Sequence, residues 1–364
     1  MNNFVSNSSN KRSTFIRLRL AVFFVNNKGI ALGICALLLF FFMMLFPGIA
    51  DVVYRKFIFQ IIRVVHDFTL GLLPFTAAFL LLPVYLFFLF RFLLKRKITI
   101  GKLLLRLLNA TFFTLALFLV LWGYNYACPG VFGPDKMATA PLSDEQLLQF
   151  GLATAQRTSS LREQIAHDAE SGFELNESEI RTALETKLHE QDFPTLGKVR
   201  CRILKDGGQM RKLGIAGFFF PFHEEGYTSN SYLLCTQAFI CAHEMSHGYG
   251  VTHEGEADFM AYVSLSNSAN AELQYAAELE LLRNIRGRLR VVNPPLRDSL
   301  KARTDSLVEI DLRSIYTNGL AYHEYVPGVQ DKLNNFYLKA MGIGEGTKSY
   351  DEMLEMVWWM KNQH

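Results

Sequence analysis

Acidic residues are almost missing from the first third of the chain. Residues 1–123 hold only Asp51 and Asp67 against 14 Lys and Arg; from totals of 37 basic and 34 acidic residues, this leaves 23 basic and 32 acidic in residues 124–364. The formal net charge of +3 therefore joins a basic portion to an acidic one of −9, and a single composition figure describes neither. Other absences narrow the function. There is no glycine-rich phosphate loop, no internal repeat and no stripe of interleaved basic and aromatic residues, so phosphate-loop nucleotide binding, a repeat architecture and a nucleic-acid partner are not expected. The five cysteines contain no Cys-x-x-Cys pair, which argues against a four-cysteine metal site. Residues 1–28 lack a small-residue cleavage site behind a short apolar core, so no removable signal peptide is expected.

What the basic portion does contain is apolar sequence. Residues 29–50, 68–90 and 107–124 carry no charge, and each is long enough to cross a bilayer; Pro74 and Pro83 in the second run are tolerated in membrane helices. Trp122, Tyr124 and Tyr126 close the third run with residues that favour the headgroup level. Lys11, Arg12, Arg17, Arg19 and Lys28 precede the first run without an acid, and residues 91–106 hold six Lys and Arg without one, whereas residues 51–67 are nearly neutral. The excess of positive charge places the first two segments in the cytoplasm. The expected layout is a cytoplasmic segment at 1–28, a membrane anchor with three transmembrane helices at 29–126, and an extracytoplasmic (periplasmic) domain at 127–364, in a multi-pass protein of the inner membrane. Cys128, Cys201, Cys235 and Cys241 then lie where oxidation is permitted, with three possible pairings. Cys35 lies within the first run.

Within the acidic portion, residues 242–262 read AHEMSHGYGVTHEGEADFMAY. His243, Glu244 and His247 spell H-E-x-x-H, which on a helix puts two imidazoles one turn apart on one face, suited to a single Zn²⁺, with Glu244 beside them as general base. A third ligand cannot come from a straight continuation: Glu254 would lie about 16 Å along the axis from His243. Gly248 and Gly250 allow the chain to turn back. A second helix starting near Thr252 then presents Glu254 as third ligand and Asp258, on the same face, as the acceptor that fixes a histidine ring. Glu256 points to the other side. The rival is His253, since residues 243–253 also fit the three-histidine metzincin pattern, though Met260 is badly placed for the methionine turn those enzymes need. Cys241 points to a different side of the helix.

Around this stretch the expected fold is mainly α with a small β-sheet, an α+β domain of zincin-like metallopeptidase type. Residues 144–189 read as helical behind Ser143 as N-cap with Gln146 three residues on. Residues 198–204 and 213–222 read as strands, the second an aromatic edge ending at Pro221. Residues 271–289, 300–316 and 350–361 read as further helices, and 129–141 as a linker.

The layout resembles a family of bacterial membrane proteins known as domain of unknown function 3810. The matching runs are WGYNY at 122–126, GIAGFFFPF at 214–222 with Glu225 after it, the stretch from His243 to Tyr262, and YLKAMG with SYDEML at 337–354. The resemblance implies a zinc-peptidase-like domain behind a membrane anchor. In that family the position of His253 is usually another basic residue while that of Glu254 stays acidic, which favours Glu254; the position of Asp258 is often Asn. The E-x-x-x-D spacing is also similar to the gluzincin metallopeptidases.

The function expected is hydrolysis of a peptide or protein substrate by a zinc-activated water, with Glu244 as base and an oxyanion donor among His323, Tyr322 and Tyr316. The competing reading is a non-catalytic anchored zinc domain that binds an envelope protein through its edge strand. Such a site would be closed by a fourth ligand from Cys241 or His223.

Overall fold

The computed structural model describes residues 24–93, 99–132, 141–165, 175–344 and 352–362. The basic segment before residue 24, most of the 129–141 linker and the start of the 350–361 helix lie outside them. The first long helix among the described residues is α1 (Lys28–Leu45), which continues through a π-helical stretch (Ala50–Ile58) into α2 (Phe59–Asp67), followed by α3 (Ala78–Leu93) and α4 (Ile100–Leu121). Among the described residues, α1 and α4 are long and apolar enough to cross a membrane. They pack side by side in the same direction. Gly29 and Gly33 of α1 lie against Asn109 and Phe112 of α4, so closely that a Cβ on either glycine would fall 2.2 Å from the Asn109 carbonyl or 2.6 Å from Phe112. This is the small-x-x-x-small contact that lets membrane helices approach.

The sequence suggested three spans of full length, and the second is not one. The 68–90 run holds a single 3-10 turn at Leu70–Leu72 and is α-helical only from Ala78, because the residues before it are drawn onto the rest of the protein. The Thr76 hydroxyl and the Ala77 N–H both donate to the buried Glu225 carboxylate, at 3.1 and 3.2 Å. What remains, α3, has 16 residues, and at about 1.5 Å each it falls short of the roughly 30 Å hydrocarbon layer.

Residues 51–67, the nearly neutral connection between the first two apolar runs, are helical for the same reason. α2 buries Phe59, Gln60, Arg63 and His66 on one face. Arg63 alone ties three segments together: its guanidinium donates to the carbonyls of Leu196 (2.9 Å), Gly197 (2.8 Å) and Gly248. Asp67 pairs with Arg200 at 2.9 Å.

Beyond the membrane-type helices come α5 (Asp144–Gln164) and α6 (Glu177–Glu190). The first starts at the expected capping box, with Ser143 and Gln146 each satisfying the other's backbone N–H. A three-stranded mixed sheet follows, of β1 (Arg200–Leu204), β2 (Gly217–Phe220) and β3 (Glu225–Ser229) in the order β1-β3-β2. β3 is parallel to β1, with Cys201 opposite Gly226, and antiparallel to β2, with Phe219 opposite Gly226. β2 is thus an edge strand, and the buried central strand is β3, which its polar sequence EGYTS did not announce.

α7 (Leu234–Gly248) lies across the sheet, and α8 (Glu254–Ser266) returns against it. α9 (Ala271–Val292) packs on both, followed by α10 (Pro294–Ala302), α11 (Ser306–Leu320), α12 (Val329–Ala340) and α13 (Met353–Lys361). The helix expected over 300–316 is therefore two, broken after Ala302. The core beneath α7 is continuous, from Ala238, Ala242 and Met245 through Met260 and Ala261 to Leu281 and Ile285. The protein is mainly helical with a small mixed sheet. All five cysteines are free thiols. Of the four candidates for pairing, only Cys201 and Cys241 are neighbours, and burial followed by that contact raises the Cys201 pKa.

Candidate metal centre

α7 ends in a Schellman motif. The Val251 N–H reaches back to the Ser246 carbonyl (3.1 Å) and the Gly250 N–H to that of His247 (2.9 Å), with Gly250 in the left-handed region at φ +98°. Gly250 therefore makes the turn. Gly248 serves differently, since a Cβ there would strike Val199 at 2.4 Å. His253 becomes the N-cap residue of α8, so Glu254 opens that helix facing back toward α7.

The result is a buried group in which His243 Nε2 and His247 Nε2 are 3.0 Å apart and each lies 3.3 Å from Glu254 Oε2. Glu254 Oε2 makes no well-directed hydrogen bond to either ring, while the two Nε2 atoms lie within hydrogen-bond distance of each other, so all three atoms stand close enough to share one ion. Ligand atoms around a tetrahedral ion with bonds of about 2.0–2.1 Å stand about 3.3 Å apart, which these edges match. The group could hold a metal ion.

The surroundings point the same way. The His243 Nδ1 faces Asp258 Oδ1 at 2.7 Å and the His247 Nδ1 faces the Val251 carbonyl at 2.8 Å, so each ring is held from behind with Nε2 forward. Burial pulls the Glu254 carboxyl up, but the His247 and His243 imidazoles together hold it below the ordinary carboxylate range. With Asp258 and Glu244, three carboxyl groups surround two imidazoles, a set of donors that suits a cation.

Glu244 is buried beside the group without belonging to it, and its Oε2 has no hydrogen-bond partner among the described residues. Burial pushes its carboxyl up to about 7, with His243 and His247 pulling the other way. Two glycines make room for it. A Cβ at Gly217 of β2 would sit 2.5 Å from Glu244 Oε1, and one at Gly226 of β3 would sit 2.8 Å from Glu244 Cβ.

The other sequence candidates lie elsewhere. The His253 Nε2 is 3.7 Å from Glu352. Glu256, fully buried, accepts from the Val131 and Phe132 N–H groups at 3.0 and 3.1 Å and so holds the chain after the last apolar helix. Tyr322 stacks under Arg211, while Tyr316 and His323 are exposed. His223 meets Tyr227 and Glu225, and Cys241 meets Cys201, so neither closes the group with a fourth ligand.

Two residues near the group carry no ligand pattern in the sequence. Tyr337 of α12 accepts from the Tyr126 hydroxyl at 3.2 Å, and its phenol is pushed up to about 12, chiefly by burial, with the Glu254 charge adding to it. Trp122, just past α4, donates its indole N–H to the His247 carbonyl at 2.8 Å.

Fold and site together define a mainly helical protein with two membrane-type helices and a buried two-histidine, one-glutamate group able to hold a metal ion. The chain belongs to the family described as protein of unknown function DUF3810, whose sequence profile matches residues 54–358. No curated protein and no solved structure matches it.

Proposed function

We propose that this chain is a membrane-anchored, zinc-dependent metallopeptidase of gluzincin-like type. The observation that carries the reading is Glu244: a buried carboxylate next to three convergent ligand atoms, with space kept for it by two glycines, yet not itself a ligand. A purely structural metal site has no use for a base in that position and takes a fourth protein ligand instead. Zinc bound there supplies Lewis acidity, activating water near neutral pH and polarising a carbonyl. Glu244 takes the proton of the attacking water and returns it to the leaving amine. Asp258 and the Val251 carbonyl keep both imidazoles aimed, and Tyr337, whose phenol feels the Glu254 charge, is the donor we assign to the developing oxyanion. The outer edge of β2 is where an extended peptide adds to the sheet.

The test is made on the full-length chain in detergent. Stripped with a chelator, it is expected to lose cleavage of an unstructured test protein and to regain it with about one equivalent of zinc. Cleavage that persists in the stripped protein refutes the reading.

The same proposal puts the site outside the cytoplasm, in a multi-pass inner-membrane protein. α1 and α4 run in the same direction, so the chain must return between them, and residues 78–99, of which α3 alone is too short for a straight full-length span, are the segment available for it. With the basic ends of these helices inside, residues 46–77 and everything after Leu121 fall on the periplasmic side. A reporter fused after Tyr126 is expected to be active only in its extracytoplasmic form; cytoplasmic activity overturns this orientation.

A further inference from the structure

Two independent contacts fix how high the metal centre stands above the membrane-type helices. The first is Trp122, the residue that follows α4. Its indole donates to the His247 carbonyl, and its ring lies 6.4 Å from the His247 imidazole and 5.7 Å from Phe219 of β2. One side chain thus separates the end of an apolar helix from both a ligand and the edge strand.

The second is α12. Its Leu338 is fully buried, and on the next position Tyr337 packs against Phe118 of α4 (6.5 Å) and Tyr126 (6.0 Å). Just past its end, Gly342 closes on Met44 of α1, where a Cβ would meet the Met44 Cε at 2.9 Å. α12 therefore lies beside the ends of both long apolar helices. On the face opposite Leu338, Val329, Leu333 and Phe336 follow one another at helical spacing and are 43%, 60% and 74% exposed. Lys332 and Lys339 border this stripe along one side, where their ammonium groups can reach back to the phosphates of an interface while the apolar side chains lie among acyl chains.

We infer that α12 lies in the outer lipid interface, that the metal group and the edge of β2 work at headgroup height, and that the substrate is the membrane-adjacent segment of a polypeptide anchored in the same bilayer. The substrate class rests on the peptidase reading; the interfacial helix does not. A centre at this height reaches peptide bonds that a soluble protease cannot approach, and it meets chain that is fully in water only by chance.

Two measurements on the full-length chain in nanodiscs separate these parts. In the first, Phe336→Trp is compared with the unaltered chain in ordinary and in chain-brominated phosphatidylcholine. The added emission is expected to fall about twofold in the brominated lipid; emission that does not change overturns the interfacial placement. In the second, one cleavable sequence is offered free, or about 5 or about 30 residues from a lipid anchor, each residue spanning at most about 3.6 Å. The short-spaced peptide is expected to be cut at least as fast as the long-spaced one, and both on the order of 100-fold faster than the free peptide. Cleavage of the long-spaced peptide alone, or of the free peptide equally fast, overturns the substrate class and leaves the peptidase reading standing. No cleavage of any of the three, with Phe336→Trp quenched, removes the peptidase reading and the substrate class together and leaves α12 in the interface.

Discussion

Glu244→Gln in the full-length chain is expected to keep its metal and its unfolding temperature while losing cleavage on the order of 10³–10⁴-fold. Glutamine keeps the size of the side chain and its fit against Gly217 and Gly226, so the packing between α7 and the sheet is undisturbed. The ligand atoms of His243, His247 and Glu254 are untouched, so binding is preserved. What is lost is a carboxylate beside the group that, among the described residues, neither contributes to it nor supports one of its rings. Gly217→Ala reaches the same end from the other side, displacing Glu244 with the base itself still present, and is expected to cost about 10-fold or more at unchanged metal content. A Glu244→Gln variant that cleaves as fast as the unaltered chain overturns the mechanism.

Glu254→Ala is expected to reduce metal content from about one ion per chain to less than about a tenth, while His253→Ala stays near full. The two residues are adjacent in sequence and differ in surroundings. Glu254 Oε2 closes a triangle with both Nε2 atoms at 3.3 Å, and its removal leaves two imidazoles, too few for a tightly held ion. His253 turns away toward Glu352, a weak, partly exposed pair, so its removal leaves the three ligand atoms in place. The opposite pattern would establish three histidines as the ligand set.

Much of this group was legible in the sequence because helical spacing fixes it locally. Two histidines four apart need only a helix, and Gly250 marks the turn that brings Glu254 and Asp258 back. β3 was not legible, since EGYTS has the look of a turn. It is a buried central strand only because Glu225 finds donors at Thr76 and Ala77, and Thr228 donates to the Ala216 carbonyl at 3.1 Å. Those same distant partners shorten the second apolar run, which composition alone made a full span. α2 and Tyr337 escaped notice likewise: what gives each its place is a contact more than a hundred residues away.

The turn that follows the second histidine is finished by residues from far upstream. The carbonyls of His247 and Gly248 take their donors from Trp122 and Arg63, 125 and 185 positions earlier in the chain. Contacts that close loops of this length form late, because the entropy of closure falls due before the contacts can repay it. A nascent chain can therefore possess every side chain of the group and still have an unfinished turn until the upstream segments that carry Arg63 and Trp122 have docked. Completion of this turn is thereby tied to the docking of the upstream helices by connectivity alone.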